Sequence, residues 1–166
     1  MDDKFTNGEL IDLYNSLEML NDLSGSKFVF ALDINMSRLE TEIKSLNKAI
    51  EPSKEYKKFE QEKEVINQNF AEKDEKNNPV KEAVDGSGLF RYIINPERKK
   101  EYDEAMAELM KEYDEAIQKR KKSIAEYREL LDSENDSFKP HKIPIDFIPE
   151  DITWEQYKII KKLIKK

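Results

Sequence analysis

The 166-residue sequence has no cysteine, one histidine, one tryptophan and four glycines, and no apolar run near the roughly 20 residues that cross a bilayer. Without cysteine there is no disulfide, no thiolate nucleophile and no thiolate-ligated zinc or iron–sulfur site, a composition that suits a reducing compartment. With His141 alone, neither a His-x-x-x-His pair nor a Glu-x-x-His pair exists, so a zincin and a ferritin-like di-iron centre both lack ligands. Glycine is too scarce for a phosphate-cradling loop. The richest stretch, Asp85-Gly86-Ser87-Gly88, lacks the following lysine and helix start and reads as a turn. Nor is there a nucleophile elbow, and the residues at the start, Met1-Asp2-Asp3-Lys4, carry acid where a signal peptide carries base. No enzymatic activity, metal, cofactor, membrane association or export is expected.

What the chain does have is charge. Asp and Glu total 36 against 29 Lys and Arg, a net charge of -7 that opposes general attraction to nucleic-acid phosphates. Eight Phe and seven Tyr at structured spacings favour a folded chain with a thin core over disorder.

Thr6-Asn7-Gly8-Glu9 has the form of a capping box, and Leu10, Leu13, Tyr14, Leu17 and Leu20 succeed it at threes and fours, which predicts a short first helix. It should stop near Gly25, with a neighbouring serine capping the second helix. From Phe28 through Leu32, Met36, Leu39, Ile43, Leu46 and Ile50 a narrow apolar seam predicts that second, longer helix, kinked or restarted at Pro52. A sparser stripe from Tyr56 to Phe70 extends this arm to about residue 74.

Residues 80–94 combine strand-favouring Val84, Leu89, Phe90, Tyr92 and Ile93 with the Gly86–Gly88 turn, and predict a β-hairpin. Asn95-Pro96-Glu97 then opens a long helix whose stripe runs from Tyr102 to Leu131. Within it Lys100–Met106 nearly recurs as Lys111–Ile117, an offset of 11 residues or about three helical turns, so Tyr102 and Tyr113 occupy equivalent seam positions. His141, Ile143, Ile145 and Phe147 alternate, predicting an edge strand near 139–148 beside the hairpin. A capping box at Thr153 and Gln156 opens a terminal amphipathic helix carrying Trp154 and ending in lysines.

The expected fold is mainly α with a small β element, a single domain over residues 1–166. A protruding antiparallel helical hairpin of about 27–74 and 96–132 stands on a base of the terminal helices and a two- to three-stranded antiparallel sheet. The seams also allow the long helices to pair between copies as a homodimer.

Carboxylates from Glu101 to Glu115 are interleaved with Lys100 and Lys111 and read as a solvated face, not a metal site. The candidate partner-binding residues are Arg91, Tyr92, Lys139, His141, Lys142, Trp154, Lys161 and Lys162. Arg91, Lys139 and Lys142 are the groups that would meet a phosphate if a nucleotide signal were bound. Lys161 and Lys162 belong to the basic terminal run, whose bland reading is dipole complementation and whose sharper one is a grip on an acidic partner or nucleic acid. His141, set between lysines, reads as strand or loop structure. Trp154 reads as a residue closing the core, with an interface anchor as its alternative.

In order along the chain, Phe5-Thr6-Asn7-Gly8-Glu9-Leu10 with Leu13 and Leu17, Lys27-Phe28, Pro52-Ser53-Lys54-Glu55-Tyr56, Asn78-Pro79-Val80, the segment preceding Asn95-Pro96-Glu97, and Ile148-Pro149-Glu150-Asp151-Ile152-Thr153 carry a resemblance. The chain resembles a family of small proteins of unknown function from phages and prophages of low-GC Gram-positive bacteria. It is longer than that pattern between the hairpin and the C-terminal segment. The resemblance supplies no activity and no site residues; it implies an accessory phage product in the host cytoplasm. The leading expectation is therefore a non-enzymatic protein that binds a host or phage protein, such as a restriction or CRISPR component. A nucleotide-signal sponge, and a DNA-replication accessory acting through the basic terminal helix, are the alternatives.

Overall fold

The computed structural model describes residues 4–20, 22–84, 86 and 88–165. It is mainly helical with two small antiparallel sheets of two strands each. The chain divides into two compact units, one of residues 1–51 and 124–166, the other of Pro52–Ser123.

In the first unit, strand β1 (Phe5–Thr6) runs into helix α1 (Asn7–Glu18). The capping box forms in full: Thr6 Oγ1 accepts from the Glu9 N–H at 3.1 Å, and the Glu9 carboxylate accepts from the Thr6 N–H at 2.8 Å. Leu10, Leu13, Leu17 and Leu20 are buried, as their spacing requires. Helix α2 (Ser26–Ala49) packs against α1 and buries Phe28, Ala31, Leu32, Leu39 and Leu46. Gly25 differs from expectation. Its φ of 113° places it at the start of α2 with no serine side-chain cap, whereas α1 ends earlier at Met19.

Strand β4 (Glu134–Asn135) comes after the C-terminal part of helix α5 (Asp114–Asp132) and pairs with β1, Phe5 opposite Asn135. The strand expected near 139–148 does not form. Pro140 and Pro144 have no N–H to give a ladder, so only Ile143 makes a single parallel bridge, to Ile164, and Ile145–Phe147 coil into a 3-10 turn. Helix α6 (Trp154–Ile160) opens on the predicted capping box of Thr153 and Gln156. Its inner residue Ile160, with Leu163 and Ile164 just beyond, joins Phe28, Leu39, Phe138 and Ile143 in one core.

In the second unit, Ser53 caps helix α3 (Lys54–Phe70) by accepting from the Tyr56 N–H at 3.1 Å. The interruption at Pro52 is therefore a full break and restart. Strands β2 (Lys81–Ala83) and β3 (Phe90–Tyr92) form the predicted hairpin, with Lys81 opposite Tyr92 and Ala83 opposite Phe90. Gly86 and Gly88 adopt φ of 64° and 68°, the left-handed region that a tight turn needs and that side chains resist. Asp85 and Ser87 of that turn lie outside the described residues. This hairpin falls in the same unit as α3, not with the terminal helices as the expected base required.

Helix α4 (Lys99–Glu112) begins after a 3-10 turn at Pro96–Arg98 capped by Asn95, whose Oδ1 accepts from the Glu97 N–H at 2.9 Å. The expected single long helix is interrupted at Tyr113, where φ is -102° and ψ 17°, before α5 begins. The 11-residue repeat finds its explanation here. Tyr102 donates to Asn67 Oδ1 at 3.0 Å and Tyr113 to Glu62 Oε1 at 2.7 Å, so both equivalent seam tyrosines tie back to α3. Few aliphatic residues are buried between α3 and α4; Phe59 and Leu109 are buried there, and rings fill in through Tyr56–Phe59, Phe59–Tyr113 and Phe70–Tyr102 contacts at 5.6 to 5.9 Å.

The Glu62 carboxylate holds the Tyr113 phenol protonated to about 12, because that hydrogen bond favours the neutral form. A phenol raised in the folded state contributes its full stabilisation below the unfolded value of about 10 and loses it as pH rises from there toward about 12. Ultraviolet titration should find a tyrosine ionising near 12, and Tyr113→Phe should delete that step while leaving the remaining steps in place.

Candidate functional site

The eight residues singled out from sequence do not share one place. Arg91 and Tyr92 stand on β3 in the second unit; the other six are in the first.

Most of the six have structural duties. Lys162 Nζ pairs with Glu9 Oε1 at 2.7 Å and lies 4.9 Å over the Phe5 ring, and this contact holds the Glu9 carboxyl below the usual carboxylate range. Lys142 Nζ donates to the Lys162 carbonyl at 2.9 Å. The Lys139 carbonyl accepts from Arg38 at 2.6 Å. His141 acts through its backbone: its N–H donates to Asn35 Oδ1 at 2.8 Å and its carbonyl accepts from Asn35 Nδ2 at 2.9 Å. Asn35 is completely buried, and with Arg38 and Glu42 at helical spacing it fastens the segment 135–141 along α2.

Trp154 departs from its core reading. It is 63% exposed and stacks on Tyr157, ring centroids 5.6 Å apart and planes within 14°. Lys161, just beyond α6, is exposed as well. An open groove of about 310 Å³ lies along α1 and α6, floored by Phe5, Leu13 and Ile159. Its lining is mixed in sign, Glu9 and Asp12 with Lys158, Lys161 and Lys162, and Lys162 is already paired with Glu9, so it presents no single-charge cradle for a phosphate.

In the second unit Arg91 Nε pairs across the strands with Glu82 Oε1 at 2.6 Å. Tyr92 donates its hydroxyl to Glu64 on α3 and carries Lys81 Nζ over its ring at 4.3 Å. The Tyr92–Glu64 hydrogen bond ties the hairpin to α3, and the Arg91–Glu82 and Lys81–Tyr92 contacts tie its two strands together. At the hairpin tip Leu89 is 65% and Phe90 68% exposed, with Val84 beside the same turn also exposed. Neighbouring strand residues face opposite sides, so a two-stranded hairpin touching α3 on one side cannot bury both Leu89 and Phe90. That adjacency was visible in the sequence, although it reads there only as strand propensity.

Among the described residues no group of three or more acidic or histidine side chains could hold a metal ion, and no helix is long and apolar enough to cross a membrane. Comparison with protein-family models, curated proteins and solved structures finds no match.

Proposed function

We propose that the protein is a non-enzymatic binding protein that engages another protein through the β-hairpin tip of its second unit. The observation that supports this is the pair Leu89 and Phe90, two large apolar side chains each about two-thirds exposed on a hairpin braced by Tyr92 and Arg91. Exposed apolar anchors on a pre-organised element lose little entropy on docking and are the typical source of binding energy at protein interfaces. The resemblance to phage proteins suggests the host cytoplasm as the setting, and the partner we propose is a host or phage protein, such as a component of a host anti-phage defence system. Polar substitution of both residues, Leu89→Ser with Phe90→Ser, should leave the thermal unfolding transition within a few degrees of the parent, since neither side chain is buried. In affinity capture from host extract the parent should retain a discrete protein that the double variant loses. Capture of the same proteins by both chains would contradict the reading.

A further inference from the structure

Helix α6 carries a second exposed surface, independent of the hairpin and in the other unit. Trp154, Tyr157, Lys158 and Lys161 are spaced at threes and fours; Trp154, Lys158 and Lys161 are exposed, while Tyr157 is half-buried and packed against the core that holds Ile160 and Leu163. Charge along the segment from residue 150 to 161 is polarised. Before the aromatic pair, or beside its first member, come Glu150, Asp151 and Glu155, all exposed; after it come the exposed Lys158 and Lys161. Trp154, stacked on Tyr157, is itself one wall of an open notch completed by Ile152 and Thr153, so a second aromatic ring can lie against it there.

Such a surface complements itself under a two-fold axis. Two copies laid antiparallel bring the acidic end of each helix over the basic end of the other and set each Trp154 against the partner's notch. A nucleic-acid strand fits less well, because the acids flanking Trp154 would repel its phosphates and the unit holding α6 carries the acidic excess, 19 acidic against 13 basic residues. We infer that the occupant of the α6 face is a second copy of this chain, in an isologous dimer centred on Trp154 and Tyr157. A face of two helical turns is smaller than the roughly 800 Å² per partner of a standard interface, so the dimer is weak.

Because Trp154 is the only tryptophan, its fluorescence reads the contact directly. Sedimentation equilibrium of the full chain from low micromolar to millimolar concentration should show the mean mass rising toward twice the monomer mass, with the tryptophan emission moving to the blue in parallel. Two charge reversals test the geometry: Lys158→Glu with Lys161→Glu, and Glu150→Lys with Asp151→Lys and Glu155→Lys. Each alone should remain monomeric, and an equimolar mixture of the two should dimerise at least as tightly as the parent. These positions are exposed, and circular dichroism of both variants is the check that they fold as the parent does. A parent that stays monomeric at millimolar concentration overturns the inference. So does a dimer that survives both reversals with unchanged tryptophan emission, which would assign self-association to another surface.

Discussion

Replacing Asn35 with alanine should lower the stability of its unit by about 3 kcal/mol, because one buried side chain satisfies both backbone groups of His141 and each group left unpaired costs about 1 to 3 kcal/mol. The distances leave no slack: 2.8 Å from the His141 N–H, 2.9 Å to its carbonyl and 2.9 Å to the Ala31 carbonyl. Asn35→Asp separates this account from simple loss of volume. Aspartate keeps an acceptor for the His141 N–H but sets an oxygen where a donor faced two carbonyls, and its charge would be buried. Its folded-state pKa is then raised, so the variant should lie closest to the parent below about pH 4 and fall behind as pH rises above that unfolded value. Urea unfolding of parent and variants at pH 3.5 and pH 7 reads the sign. A deficit for Asn35→Asp that is the same at both would show that the amide is not working through these hydrogen bonds.

The other large effect comes from two phenylalanines separated by one residue. Phe28 is fully buried in the core that joins α1, α2 and α6, whereas Phe30 is 66% exposed on the same helix. Phe28→Ala should cost about 3 to 5 kcal/mol, the transfer energy of the ring plus the cavity it leaves. Phe30→Ala should change stability by less than about 0.5 kcal/mol. Chemical denaturation monitored by circular dichroism compares them on one helix with one substitution chemistry. Equal losses would mean that α2 does not present the face described.

The contrast between these residues indicates what was legible in the sequence. Local rules held where all partners lie within four residues: the boxes at Thr6 and Thr153, the Asn95 cap and the leucine stripe of α1 could be read directly. Phe28 could be assigned to the core from the same periodicity. Asn35 could not, because it sits on that seam as a polar residue and its partner is 106 positions away. Alternation near 139–148 looked like a strand, but two prolines remove the donors a ladder needs, and side chains of α2 take over the role of a neighbouring strand. The interruption at Tyr113 was hidden because the repeat continues across it. Arg91 and Tyr92 lie on the hairpin proposed as the binding element, where their side chains hold it together and to α3. The exposure of Trp154 is not legible in the sequence, since a capped first turn packs inward or outward according to what the distant chain supplies. Lys139, His141, Lys142 and Lys162 drew attention by charge or rarity and are instead tied into the fold through backbone contacts or, for Lys162, an ion pair with Glu9.

Site-specific photo-crosslinking offers the most direct test of a binding role for the hairpin. A photoreactive phenylalanine analogue at position 90 should give a discrete protein adduct in host-cell extract, and the same analogue at the comparably exposed position 30 should not. Adducts of equal yield and identity from both positions, or none from position 90, would contradict it.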